Sequence, residues 1–246
     1  PTQEPAQTIT ITVVYDNNPF RPGLKTAWGF ACVVQGLEHT ILFDTGGDAA
    51  ILLANMRAVG IAPTDIDVVV LSHIHSDHVG GLGGILAAGN PLAVCVPASF
   101  PASIKDRVRS AGAQLVEVHQ SARIFEQVYS TGEMGGGIKE QGLLLRTPNG
   151  GVLITGCSHP GSVEMARRAK EILGEELLLV MGGFHLGSAT QNRIDGIVAA
   201  MQDLGVRNVG PGHCSGKLAR RLFQKAYGDH YVEVGVGRRI ALAELE

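Results

Sequence analysis

Three histidines and an aspartate, His73, His75, Asp77 and His78, fall within six residues in the string LSHIHSDHVGGL. Imidazole nitrogens and a carboxylate oxygen make a donor set for a divalent cation, zinc first, with iron or manganese as alternatives. One histidine on a loop is ordinarily a surface residue. Three of them spaced around an aspartate, beside a glycine turn, are not accounted for in that way. Side chains alternate along an extended segment, so His73, His75 and Asp77 point to the same side, and a following helical turn brings His78 round to them. Four donors so placed do not close on one ion. They predict two cation sites sharing one short loop.

The loop follows the apolar run 68–71, VVVL, which reads as a short buried strand. Three strand ends in the second half repeat this arrangement. Strand 152–155 is followed by Gly156, Cys157, Ser158 and His159, strand 177–181 by GGFH ending in His185, and strand 206–209 by GPGHC with His213 and Cys214. Open α/β sheets place ligands just beyond the carboxyl ends of their strands, so these histidines are expected at one rim with the first loop. Cys157 is either a thiolate ligand or a small buried residue beneath the loop, and the second reading is preferred. His185 is either a structural histidine or a group in the same cavity that binds a substrate anion or steadies an oxyanion. His119 reads as a surface histidine.

The elements that must position these groups alternate. Residues 8–15, TITITVVY, form a β-branched strand expected to have one wet face. Loop 16–25, DNNPFRPGLK, is longer than a hairpin needs and reads as a substrate loop. Strands 28–35 and 39–43 follow, with Trp28 assigned to the core in preference to a pocket wall. Helices at 49–59, 78–88, 101–111, 162–173, 190–204 and 217–227 alternate with strands at 92–96, 114–118, 123–129 and 142–146. Asn149 and Gly150 supply a hairpin turn. This is the order of a layered α/β fold. Segment 131–141, TGEMGGGIKEQ, reads as a flexible flap, and its GGG alone does not mark a phosphate site.

The string HxHxDH with the following GGL resembles the signature of the metallo-β-lactamase superfamily. FDTGG at 43–47 resembles that family's first motif, and PGHC at 211–214 its last histidine motif. The resemblance implies an αββα sandwich of two mixed sheets with helices on the outer faces, occupying 1–246 as a single domain, and two divalent metal ions. On this basis His73 and His75 hold the first ion, and Asp77, His78 and His213 the second. Asp44 then supports the metal loop from behind, a role compatible with capping the helix that begins near 49. The family pattern also has a histidine ahead of the strand that ends at Thr155 and a bridging aspartate after it. This chain has neither, and GCSH stands in the aspartate's place. Together TGCSHPG, GGFHL and PGHC resemble the dihydropteroate-synthase-like branch linked to methanopterin biosynthesis, over nearly the whole chain. That resemblance gives His159 the remaining place at the metals.

Two metals roughly 3.5–4 Å apart acidify a water held between them. The implied function is a metal-dependent hydrolase that turns a metal-bound hydroxide on an ester, phosphodiester or cyclic amide, with Asp77 also orienting the nucleophile. The branch resemblance implies an alternative, a transferase joining a pterin diphosphate to an aminobenzene ribosyl phosphate, with the diphosphate leaving group at the metals. Oxygen-reducing diiron chemistry is disfavoured, because HxExDH and a second domain are missing. A non-enzymatic module with structural metals is also disfavoured, since structural zinc sites are closed and this loop is rich in donors beside a glycine-rich flap.

At 246 residues, 45% hydrophobic and 17% charged, the chain can build a sizeable core. A net charge of −3 leaves no overall basic footprint for nucleic acid, and the basic faces at Arg167, Arg168 and Lys170 and at Lys217, Arg220 and Arg221 read as solvated. No apolar run approaches the roughly 20 residues of a membrane span. The expected partner is a small anionic molecule. Cys32, Cys95, Cys157 and Cys214 are widely spaced without a CxxC pair, which predicts reduced thiols and a cytoplasmic setting. The polar start PTQEPAQ also fits the remnant of a removed export signal.

Overall fold

A computed structural model describes residues 8–245; the segment 1–7, and with it the export-remnant reading, lies outside the described residues. Apolar, β-branched runs give β1 (Thr10–Asp16), β2 (Phe30–Gln35), β3 (Ile41–Phe43), β4 (Val68–Val70), β5 (Ala93–Pro97) and β6 (Gln114–Val118). A second group comprises β7 (Gln120–Phe125), β8 (Val128–Gly132), β9 (Leu143–Thr147), β10 (Gly150–Thr155), β11 (Leu177–Gly183) and β12 (Asn208–Gly212). Strand β13 (Arg239–Ala241) returns to the edge of the first group. The two sheets run β13-β1-β2-β3-β4-β5-β6 and β12-β11-β10-β9-β8-β7. Both are mixed. The stretch β3 to β6 is parallel, as is β10 to β12, and the remaining pairs are antiparallel.

Seven α-helices among the described residues complete the layers: α1 (Ala49–Ala58), α2 (Ser76–Val79), α3 (Leu82–Leu86), α4 (Ala102–Ser110), α5 (Ser162–Leu173), α6 (Gln191–Asp203) and α7 (Gly216–Tyr227). Three apolar clusters set their order. Ile11, Phe43, Val70, Leu143, Ile154 and Met181 meet between the sheets. Leu42 and Val69 pack outward against Leu52, Met56, Ile85 and Val108 of α1, α3 and α4. Leu153 and Val180 pack against Met165, Ile194 and Phe223 of α5, α6 and α7. The result is the αββα sandwich of α/β class, with every central strand covered on both faces.

That double covering corrects the expected wet face of β1. All of its residues are buried, Thr10 and Thr12 included, because helices lie over the side that alternation leaves polar. The predicted strand 123–129 is a hairpin, β7 and β8, turning at Glu126 and Gln127. Gln127 takes φ 63° there without the glycine or asparagine that normally marks such a turn. The predicted helix 78–88 is broken into α2 and α3. The His78 carbonyl accepts from the N–H and the Oγ of Thr45, at 2.8 and 2.9 Å, so it is not free to continue the helix. A Cβ at Gly81 would sit 2.1 Å from the Thr45 carbonyl oxygen, and that approach requires the glycine.

Candidate metal centre

The carboxyl ends of β3 and β4 in one sheet meet those of β10, β11 and β12 in the other. Two triads of donor atoms form there, His73, His75 and His159, and Asp77, His78 and His213, each with its donors within 4.8 Å of one another. The rings of His73 and His78 join them at a centroid separation of 4.2 Å. All six residues expected as ligands therefore converge. His119 lies exposed elsewhere, as expected.

Asp44, wholly buried after β3, organises the loop. Its Oδ1 accepts from the Ser72 N–H, and its Oδ2 from the Ser72 hydroxyl and from His78 Nδ1, each at 2.7 Å. With its proton given to Asp44, Ser72 Oγ accepts from His73 Nδ1 at 2.8 Å. Both rings thus carry a proton on Nδ1 and turn Nε2 toward the centre. A Cβ at Gly156 would meet Ser72 Oγ at 2.1 Å, which shows how closely the end of β10 is drawn against this loop.

His159 is held by a residue absent from the sequence reading. Glu140, fully buried, accepts through Oε1 from the N–H groups of Gly156, Cys157 and Ser158, at 3.1, 2.9 and 2.8 Å. Its Oε2 accepts from the His159 N–H at 2.8 Å and from Nδ1 at 2.9 Å. Burial opposes the charge, but the bonds from His159 and the neighbouring backbone hold the carboxyl down at about 2. The segment expected as a flap is therefore pinned at its carboxyl end, and only Gly135, Gly136 and Gly137 stand exposed. Glu140 is one of two acids in a glycine-rich stretch, with no spacing to give it away.

His213 is held by the start of the loop expected to carry substrate. Its N–H donates to Asp16 Oδ2 at 3.1 Å and its Nδ1 to Asn17 Oδ1 at 2.8 Å, while Asn17 Nδ2 donates back to the His213 carbonyl at 3.2 Å. Burial raises Asp16 to about 6 against the pull of Asn18 and His213. Asp44, Ser158, His185 and His213 are four of the five described non-glycine residues with positive φ, a concentration of backbone strain at the rim.

The charges divide unevenly. Burial, assisted by the His78 charge, pushes His73 down to about 2 and keeps it neutral. Burial also opposes a charge on His78, yet Asp44 and Asp77 raise it to about 10. For Asp77 burial works against ionisation, and hydrogen bonds from His213 and His78 hold it well below the usual carboxylate range. A field that favours a proton on His78 favours a cation in the same place.

The residues present fit divalent metals. His159 Nε2 is buried with no hydrogen-bond partner among the described residues, a cost that a metal bond removes. Two nitrogens on one tetrahedral zinc, each about 2.0–2.1 Å from it, lie about 3.3 Å apart. His73 Nε2 and His75 Nδ1 are 3.2 Å apart, and His78 Nε2 and His213 Nε2 are 3.3 Å apart.

Around the triads, the His185 ring lies 4.7 Å from that of His159, on the exposed side. The His185 backbone N–H donates to Cys214 Sγ at 3.3 Å, and the Cys214 thiol raises the ring's affinity for a proton against the effect of burial. Trp28 is not a core residue. It is 59% exposed with its ring 4.8 Å from His213, because Gly29 abuts the Asp77 carbonyl, where a Cβ would come within 2.3 Å. Cys157 is buried as expected, with Sγ 3.3 Å from His78 Nε2.

Comparison with known proteins agrees with this architecture. A synthase of Methanocaldococcus jannaschii, 7,8-dihydropterin-6-methyl-4-(beta-D-ribofuranosyl)-aminobenzene-5'-phosphate synthase, is 28% identical over 91% of this chain and 92% of its own length. The crystal structure of Tm1679, a metal-dependent hydrolase of the beta-lactamase superfamily, superposes with a TM-score of 0.78 at 26% identity, covering 94% of this chain and 98% of that one. The metallo-beta-lactamase fold protein YhfI from Bacillus subtilis shares the fold at 12% identity, with a TM-score of 0.71 over 95% of this chain and 99% of its own. Residues 29–213 match the Metallo-beta-lactamase superfamily, and with its two triads gathered at the strand ends the chain belongs to that superfamily.

Proposed function

We propose that the chain, acting as one domain, is a dinuclear metal-dependent hydrolase. His73, His75 and His159 would hold one divalent ion and Asp77, His78 and His213 the other, with zinc the ion this set suits first. One observation carries the reading: behind His73, His78, His159 and His213 the Nδ1 atom is engaged by Ser72, Asp44, Glu140 or Asn17, so every Nε2 is aimed inward. When bound, two such ions supply an acidified water and polarise the oxygen of an ester, phosphodiester or cyclic amide.

The protein's own part is positioning. Asp77, whose Oδ2 lies 3.2 Å from His213 Nε2 and 3.5 Å from His78 Nε2, would orient the attacking water while remaining a ligand. His185 at the rim donates to an anionic group of the substrate. Trp28 covers His213 from the solvent side and offers a flat apolar wall to a small substrate. No nucleic-acid partner is expected from the net charge of −3. Among the described residues no helix is long and apolar enough to cross a membrane.

The similarity along most of both chains to the Methanocaldococcus synthase supports a second reading, a transferase that joins a pterin to a ribosyl aminobenzene phosphate. The exposed indole suits a planar ring in either case. Metal analysis together with turnover of a phosphodiester, a lactone and a β-lactam separates the two. Turnover that is lost on chelation and restored by zinc supports the hydrolase. Silence on all three, with saturable binding of a dihydropterin, favours the transferase. A chain that takes up no metal overturns both.

A further inference from the structure

Among the six donors of the two triads only Asp77 brings a negative charge, which leaves two dications at roughly 3.5–4 Å repelling each other across neutral imidazoles. The other buried carboxylates beside the site are spoken for: Asp44 and Asp16 accept three hydrogen bonds each and Glu140 five, all from groups that hold the scaffold. Among the described residues a further ionisable side chain stands between the triads. Cys157 Sγ lies 3.3 Å from His78 Nε2 of one triad and forms a third compact donor group with His78 and with His73 of the other. A sulfur about 2.3 Å and a nitrogen about 2.0–2.1 Å from one tetrahedral ion lie roughly 3.5 Å apart, close to what is seen. The thiol is held rigidly at this place. The Cys157 N–H is bound to Glu140, and the preceding Gly156 is pressed against Ser72.

We propose that Cys157 is a metal ligand shared by the two ions, a bridging thiolate. This rests on the two-metal reading above. On metal binding the S–H bond breaks, the sulfur's electron pair goes to the ions, and the proton leaves to solvent. The neighbouring thiol has a different task. Cys214 forms a compact group with Cys157 and His185, but its Sγ accepts the His185 N–H at 3.3 Å and donates to the Cys157 carbonyl at 3.7 Å, which ties together the ends of β10, β11 and β12. A sulfur bridge also tilts the site toward zinc, iron or cobalt and away from manganese or magnesium, since thiolate is the softest donor present.

Cobalt(II) reconstitution of the full chain tests this without turnover. The wild type at two cobalt ions per chain is expected to show an intense thiolate-to-cobalt charge-transfer band in the near ultraviolet. The near-isosteric Cys157→Ser and the Cys157→Ala variants should lose the band, and affinity for the second ion should fall by more than the ~10–100-fold typical of losing a supporting partner. Cys214→Ala should keep the band. Two cobalt ions bound by the wild type with no such band overturn the bridge while leaving the two-metal reading intact, as does a band that survives in Cys157→Ala or disappears in Cys214→Ala. Failure of the wild type to bind cobalt overturns the metal reading and this inference together.

Discussion

The two triads are assembled from the same strand ends but are electrostatically unlike. At the first triad burial disfavours a charge on His73 and on His75, and the ionised Glu140 supports the triad at its far side. Asp77, His78 and His213 make a charged set, with Asp77 ionised and Asp44 behind His78. A neutral pocket takes a cation for its lone pairs, and a charged one takes it for its field as well. The supports differ in kind too. His73 and His78 are steadied from within their own sheet, by Ser72 and Asp44, whereas His159 depends on Glu140, which reaches it from the far end of a glycine-rich connection.

This contrast can be broken outright at the first triad. His75→Ala leaves two imidazoles there, so metal at that triad should be lost while circular dichroism stays that of the folded chain. Activity should fall by about 10³-fold or more, given that metal stabilisation of the transition state is worth several kcal/mol and each ~1.4 kcal/mol is tenfold. Full activity in that variant would remove the assignment. At the other triad, Asp77→Asn keeps the shape and deletes the charge. Metal content should drop from two ions toward one, with a fall in kcat of roughly 100-fold. Loss of both ions together would show that the triads do not act separately.

Glu140→Gln asks whether the first triad leans on its buried anion. Five N–H donors lose an ionised acceptor, so the variant should be destabilised by about 3 kcal/mol, a fall in thermal midpoint of roughly 10 °C, with metal affinity down ~10–100-fold at the His159 site. An unchanged midpoint would refute that support. The smallest effect is expected at Trp28→Ala, which should raise KM by about fivefold to tenfold with little change in kcat, the size of one aromatic contact. Trp28 is the only tryptophan in the chain, so quenching of its fluorescence on adding substrate checks the same contact directly.

Much of this was open to a reader of the sequence, and the failures share a cause. The strand ends of the second half and their histidines could be placed because each strand is a short apolar run closed by a glycine-bearing turn. Hydrophobicity argues for placing Trp28 in the core, while its exposure follows from Gly29 fitting against the Asp77 carbonyl, a contact across 48 positions of chain. The helix after the metal loop is shorter than its sequence pattern suggests because Thr45, distant in sequence, takes the His78 carbonyl. Glu140, Asp16 and Asn17 could not be singled out. Each is an ordinary polar residue until the strand that brings its histidine is known.

By itself the sequence settled the kinds of donor and the ends of the strands they follow, because HxHxDH is a local pattern and alternation with a single turn is enough to gather its side chains. Which ring nitrogen each histidine presents, and that Glu140 and Asp16 stand behind His159 and His213, were decided only by the tertiary structure. Those outcomes depend on parallel strands of two different sheets ending at one rim, and on hydrogen bonds between residues as far apart as 16 and 213. No periodicity within a window of a dozen residues encodes contacts at that range.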